Sequence, residues 1–352
     1  MRHRARHWVF ALVLALGLFA ASALTTAAEA AKFSPAMVNP GYHESPPWFK
    51  ESFLDLREDV AEARKSSRRV MLYFYQDGCP YCTKLLQDNF GQKAIADKTR
   101  KHFDVIAINI WGDREVTDMA ARVAPEKAFS RALRIQFTPT LLMLDEQGDV
   151  ALRLNGYIPP HKFDLALDFA GQRLEIKQSL TDYLKANLKE AASGKLHLEP
   201  WLLKPPLKFA DSLKWGGKPL LVLFEQKECA ACDELHGEAF TRPDVAGLLK
   251  KFQVAQADIW SPESLQTPSG EMLPVRDWAR KLKVSYTPSL VFFDQSGREV
   301  FRVDGYLRPF HLSSALDYVA SGAYLKQPEF QRFIEARAAA ARARGERVEL
   351  LK

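Results

Sequence analysis

Cysteine occurs four times in this chain of 352 residues, always in a Cys-x-x-Cys pair: Cys79 with Cys82 in Cys-Pro-Tyr-Cys, and Cys229 with Cys232 in Cys-Ala-Ala-Cys. Three chemistries use such a pair. Covalent haem attachment needs His directly after the second Cys, but Thr83 and Asp233 stand there, so that reading fails. Structural zinc needs four ligands close in space, with paired cysteines roughly 15 to 20 residues apart in zinc ribbons. These pairs are 150 residues apart with no His cluster beside either, which disfavours zinc. A dithiol/disulfide centre remains. Two Cys at i and i+3 in a first helical turn can bring their sulfurs within bonding reach. The first sits where free N–H groups and the positive end of the helix dipole stabilise a thiolate. Cys79 and Cys229 are therefore expected to be nucleophiles, and Cys82 and Cys232 the resolving thiols that release a mixed disulfide.

The elements that must position these pairs occur twice. Cys79 and Cys229 differ by 150, while Trp111/Trp260, Pro139/Pro288 and Gly156/Gly305 differ by 149. Phe137 to Ala170 aligns without a gap on Tyr286 to Val319, and 12 of the 34 columns are identical. A period of this length is a tandem duplication of a whole domain. In each copy an apolar run, Val70 to Tyr75 or Leu220 to Phe224, reads as a buried strand. The Cys pair and a helix follow, then a strand ending near Trp111 or Trp260, and a polar, helix-bearing insertion. After Thr-Pro come two strands joined by a turn at Asp145 to Gly148 or Asp294 to Gly297, and a closing helix. The fold class expected is α/β: two tandem units, each a central mixed sheet flanked by helices.

Thr138-Pro139 and Thr287-Pro288 form the second site element. Pro is disfavoured at the start of a central strand unless it serves a turn, a bulge or a cis bond. Its recurrence at matching distance from the cysteines favours a functional cis-Pro over an ordinary loop proline.

Arg2, Arg4 and Arg6 precede an apolar run from Trp8 to Leu24, and Ala28-Glu29-Ala30 offers a cleavage site. Residues 1–30 thus read as a secretory signal peptide, short for a membrane span. Removing them leaves a net charge of about +4, small for this length. The basic tail around Glu335 to Arg347 reads as a solvated helix face, and no nucleic-acid motif accompanies it. The divisions expected are 44–190 for the first unit, 191–208 for a Pro-containing linker of limited flexibility, 209–325 for the second unit and 326–352 for a helical extension. The first unit has an extra helix, about Ser52 to Ser66, where the second has only Phe209 to Leu213. The tail past residue 325 matches a helix from about Leu174 to Ala192.

The stretches "CPYC", "GDREVTD" and "RIQFTPTLLMLDEQG", with "NGYIPP", and in the second copy "CAAC", "YTPSLVFFDQSG" and "DGYLRP", resemble the thioredoxin superfamily. Within it they resemble the periplasmic thioredoxins of the sulfur-oxidation (Sox) gene cluster. The resemblance covers nearly the whole chain beyond residue 30. It implies a thioredoxin fold with the Pro139 and Pro288 loops beside the dithiols, where backbone groups of Thr138 or Thr287 hold an extended substrate segment. It implies thiol:disulfide exchange with exported protein thiols in the periplasm, no cofactor, and a membrane thiol-electron transporter as donor.

The chain departs from that pattern. Thioredoxin places a buried Asp six residues before the nucleophile; Tyr73 and Leu223 stand there, and Gly78 and Glu228 replace the usual Trp. Glu225, two residues on, is a candidate proton acceptor in the second copy, with an exposed edge glutamate as the competing reading. Lys84 follows one pair, while Glu228, Asp233 and Glu234 flank the other, so the Cys79 thiol is expected to have the lower pKa. Two alternatives stay open: the same residues poised as an oxidase or isomerase, and a second copy that serves as a docking module.

Overall fold

The computed structural model describes residues 44–211 and 217–348. The signal-peptide reading and the end of the short Phe209–Leu213 helix fall outside them. The first half runs α1 (Leu56–Lys65), β1 (Arg69–Tyr75), α2 (Pro80–Lys84, continued by a π turn to Phe90), α3 (Lys93–His102), β2 (Phe103–Asn109), β3 (Glu115–Thr117), β4 (Val123–Pro125), α4 (Glu126–Ala132), β5 (Thr140–Leu144), β6 (Val150–Asn155), α5 (Pro160–Gly171) and α6 (Leu180–Asn187). The second repeats it as β7 (Leu220–Glu225), α7 (Ala230–Glu234, continued by a π turn to Ala239), α8 (Pro243–Leu249), β8 (Gln253–Asp258), β9 (Ser264–Gln266), β10 (Met272–Pro274), α9 (Val275–Lys281), β11 (Ser289–Phe293), β12 (Glu299–Asp304), α10 (Pro309–Ala320) and α11 (Phe330–Ala343).

Strands β1 and β7 are central because they are apolar on both faces. Alternation sends Met71 and Tyr73 into one core and Val70, Leu72 and Phe74 into the other; Leu221 and Leu223 separate in the same way from Leu220, Val222 and Phe224. The sheet orders are β2-β1-β5-β6 and β12-β11-β7-β8. The pairs β1-β2 and β7-β8 are parallel and the others are antiparallel. Each half is thus a mixed sheet flanked by helices, as the patterning requires. The parallel step carries the Cys helix across the sheet and places its N-terminus at the C-terminal end of the central strand.

Three details differ from the expectation. The polar insertions contain short hairpins, β3/β4 and β9/β10, whose three-residue strands are too brief to show a period. The helix expected to Ala192 is a 3-10 turn at Leu174–Ile176 followed by α6, which Ser179 starts by accepting from the Asp182 N–H and which ends at Asn187. The segment read as a linker is strapped to the second sheet: the Leu203 N–H donates to the Val254 carbonyl at 2.7 Å. Lys50 N–H makes the matching bond to the Val105 carbonyl at 2.8 Å, so Pro47-Trp48 and Pro200-Trp201 begin equivalent straps.

The edge strands β6 and β12 face each other. Where they meet, Asn155 Nδ2 donates to Asp304 Oδ2 at 2.7 Å. These residues occupy the same position in the two repeats, as they must beside a pseudo-two-fold axis.

Candidate active site

Both cysteine pairs lie at the start of their helices and are closed as disulfides, with Cα atoms 5.2 Å apart. Cys79 is the N-cap of α2 and Cys229 that of α7, and each sulfur accepts from the backbone N–H of its own resolving cysteine, at 3.0 Å from Cys82 and 3.1 Å from Cys232. That N–H is one of the groups a helix start leaves without an internal partner, so it is available to a thiolate when the disulfide opens. Pro80 at the first helical position loses nothing by lacking an N–H there. In both pairs the resolving cysteine is as buried as the core itself.

The Thr-Pro loops come to the same place. Thr138-Pro139 and Thr287-Pro288 are both cis, and the Thr138 carbonyl oxygen lies 3.4 Å from the Cys79 sulfur. Thr287 lines a cleft with Cys229, Glu228 and Tyr286. The Gly-Tyr landmark of each repeat finds its reason here: Gly156 and Gly305 adopt φ of 78° and 95°, a region that suits glycine. That turn points each N–H at the carbonyl of Pro139 or Pro288, at 2.8 Å in both. A second recurrent bond, from Trp111 Nε1 to Gln76 and from Trp260 Nε1 to Gln226, both 2.7 Å, fixes the loop just before each cysteine. The glutamines went unnoticed in the sequence, although their 150-residue spacing matches that of the cysteines.

Tyr73 and Leu223 are buried, and burial drives the Tyr73 phenol far above its usual range, so neither takes a proton in place of a carboxylate. The reading of Glu225 as an exposed edge residue is overturned. It is wholly buried, accepting from Gln256 at 2.6 Å and paired with His236 Nε2 at 3.0 Å. His236, one helical turn beyond Cys232, also meets Glu199 at 3.3 Å and stacks on His197, which in turn contacts Asp233 at 2.7 Å. Burial alone would lower the His236 pKa, but the hydrogen bonds and charges of Glu225 and Glu199 outweigh it and leave the value raised. The equivalents in the first half are Tyr75 and Leu86, so this pair belongs to one repeat only.

The charges flanking the nucleophiles are largely engaged elsewhere. Lys84 pairs with Asp88 at 2.5 Å, Asp233 with Ser193 and His197, and Glu234 with Arg308 at 3.0 Å. Glu228 lines the cleft beside Cys229, together with Glu190, which is itself paired with Lys162 at 2.9 Å and His161 at 2.8 Å. The thiol of Cys229 is therefore expected to titrate above that of Cys79 through Glu228, with little help from Lys84. Alkylation rates of the reduced protein against pH measure both midpoints. The reverse order would remove this electrostatic distinction, and Glu228→Gln should narrow the gap.

The model of the thioredoxin-like domain matches residues 56–171 and again 210–320, together more than half of the chain. Among solved structures, a thioredoxin-fold protein from Helicobacter pylori is 25% identical over 34% of this chain and 80% of its own, with a TM-score of 0.30. A thioredoxin from Thermus thermophilus is 21% identical over 39% and 95%, with a TM-score of 0.28. A disulphide isomerase from Xylella fastidiosa Temecula1 is 16% identical over 41% and 95%, with a TM-score of 0.25. No curated protein sequence matches the chain.

Proposed function

The chain belongs to the thioredoxin-like domain family, and from that premise we propose that it is a thiol:disulfide oxidoreductase with two redox centres, working in the periplasm as a reductant of exported proteins. The observation that carries this reading is the site of the first half: a dithiol pair capping a helix, with its outer sulfur 3.4 Å from the carbonyl of a cis-Pro loop. A substrate segment laid along that loop has its disulfide beside the nucleophile.

In the reducing direction the Cys79 thiolate attacks one substrate sulfur, and the substrate disulfide breaks to release the other sulfur as a thiolate that takes a proton. Cys82, deprotonated, then attacks Cys79 in the mixed disulfide. The Cys79–Cys82 bond forms, the second substrate thiolate leaves, and two electrons have passed to the substrate. Cys229 and Cys232 perform the same steps in the second half, where the Glu225–His236 pair is the candidate acceptor for the proton of Cys232. Regeneration requires a dithiol donor, for which a membrane thiol-electron transporter is the class proposed. The resemblance to sulfur-oxidation thioredoxins favours protein thiols of sulfur-carrier or cytochrome maturation systems as substrates.

The redox equilibrium of each pair, measured in glutathione and dithiothreitol buffers on variants in which the other pair is Ser, tests the direction. Values near about −270 mV are expected for both. A value near about −120 mV would place that half with oxidases or isomerases, and no exchange in the second half would make it a docking module.

A further inference from the structure

An attacking sulfur must reach the outer cysteine along the S–S axis, so a working site needs open space there. Neither site has it. Cys79 is 3% and Cys229 4% exposed, and Thr138 and Thr287 are also buried. The cleft over Cys229 holds about 20 Å³, room for about one water and too little for a substrate segment.

What covers each site belongs to the other half. Thr181, Leu184 and Leu188, from α6 and its end, close the cleft over Cys229. Over the first site, α11 brings Gln331, which accepts from Gln76 at 3.2 Å and donates to the Gln136 carbonyl at 3.0 Å. The residue preceding each Thr-Pro is inserted into the opposite core: Phe137 packs on Phe301 and Phe330, and Tyr286 packs against the core of the first half. Each tryptophan beside a site is capped by a cation from the opposite terminal helix, Trp111 by Arg332 at 4.2 Å and Trp260 by Lys185 at 4.0 Å. Each neighbouring arginine meets a carboxylate of that helix or its start, Arg131 with Glu329 at 2.5 Å and Arg280 with Asp182 at 4.0 Å.

From this reciprocity we propose that the two halves screen each other's redox sites, and that exchange with a protein thiol requires them to part, opening both sites together. The inference rests on the redox reading of the pairs and adds the regulation of those sites. Two features make the contact separable. Its periphery is ionic and polar, as in contacts between movable domains. It also strands polar atoms: Tyr81 Oη within the first pair, Thr138 Oγ1, and His311 Nδ1, whose ring lies edge-on to Tyr81, are buried without a hydrogen-bond partner. Parting would return all three to water.

The test is the alkylation rate of the reduced, full-length protein with a maleimide carrying a polyethylene glycol chain, read separately at Cys79 and Cys229. The double variant Glu329→Arg with Arg332→Glu keeps the ion pair at the start of α11 but sets like charge against Arg131 and a carboxylate over the Trp111 ring. Lys185→Glu is the independent variant on α6. The wild type is expected to react far more slowly than the urea-unfolded chain at equal thiolate fraction, and each variant to accelerate both cysteines by about tenfold. A wild type as reactive as the unfolded chain would overturn the proposal. So would variants with native circular dichroism and unchanged rates, and acceleration confined to the nearer pair would overturn the shared opening. Alkylation needs no turnover, so loss of exchange activity alone leaves this result readable.

Discussion

Replacing Cys79 with Ser is expected to lower exchange at the first pair by at least about a thousandfold. The assay is insulin reduction driven by dithiothreitol, in a chain whose second pair is already Ser so that one centre is read alone. A serine hydroxyl stays protonated across the working range and cannot form a mixed disulfide, whereas a thiol at a helix N-cap is stabilised as the thiolate by the Cys82 N–H at 3.0 Å. Cys82→Ser should differ in kind. The first attack survives and the release step is lost, so covalent complexes with protein partners accumulate and vanish on treatment with dithiothreitol. A Cys79→Ser protein that retained the rate would sink the assignment of nucleophile, and complexes formed by that variant instead would reverse the two roles.

The second large effect is one of stability. Glu225→Ala is expected to cost about 3–5 kcal/mol in urea unfolding, because it leaves the buried His236 with Glu199 as its one carboxylate partner and removes the acceptor of Gln256. Glu225→Gln should cost less, since a neutral amide can still accept. The pH dependence has a definite sign. The His236 pKa is raised in the folded chain, so its contribution is fully present below about 6.5, the unfolded value, and is lost as pH rises through the folded one. The wild type should therefore lose stability over that rise, and Glu225→Gln should flatten the loss. Equal slopes for the two proteins would separate His236 from Glu225 energetically.

Much of the fold was legible because it is written twice. An unbroken apolar strand, a Cys pair at a helix start and Thr-Pro before a hairpin are local patterns, and repetition at 149 or 150 residues marks them as structural. What was missed depends on contacts far apart in sequence. Glu225 ends a strand and reads as an edge charge until α7 brings His236 over it. Arg69, at the start of β1, is buried by the same kind of distant contact, with Glu146 at 2.9 Å and Glu175 at 2.8 Å. The strap at Trp201 reads as a linker from its proline content, and only its hydrogen bond to Val254 shows its likeness to Pro47-Trp48. The helices α6 and α11 pack as extensions of their own halves; nothing in their amphipathic pattern says that a second surface rests on the neighbour.

The pairing of Asn155 with Asp304 is the contact of a symmetric dimer, made within one polypeptide. Two separate chains so joined would come apart on dilution, and their accessibility would follow protein concentration. Here the tether holds each half near its counterpart at an effective concentration on the order of millimolar, whatever the amount of protein present. A client must compete with that internal partner for the same surface, so its own abundance and affinity set the occupancy of the sites. Covalent fusion also frees the two halves from being identical, so one can carry the Glu225–His236 pair while the other keeps Tyr75 and Leu86 in the same places.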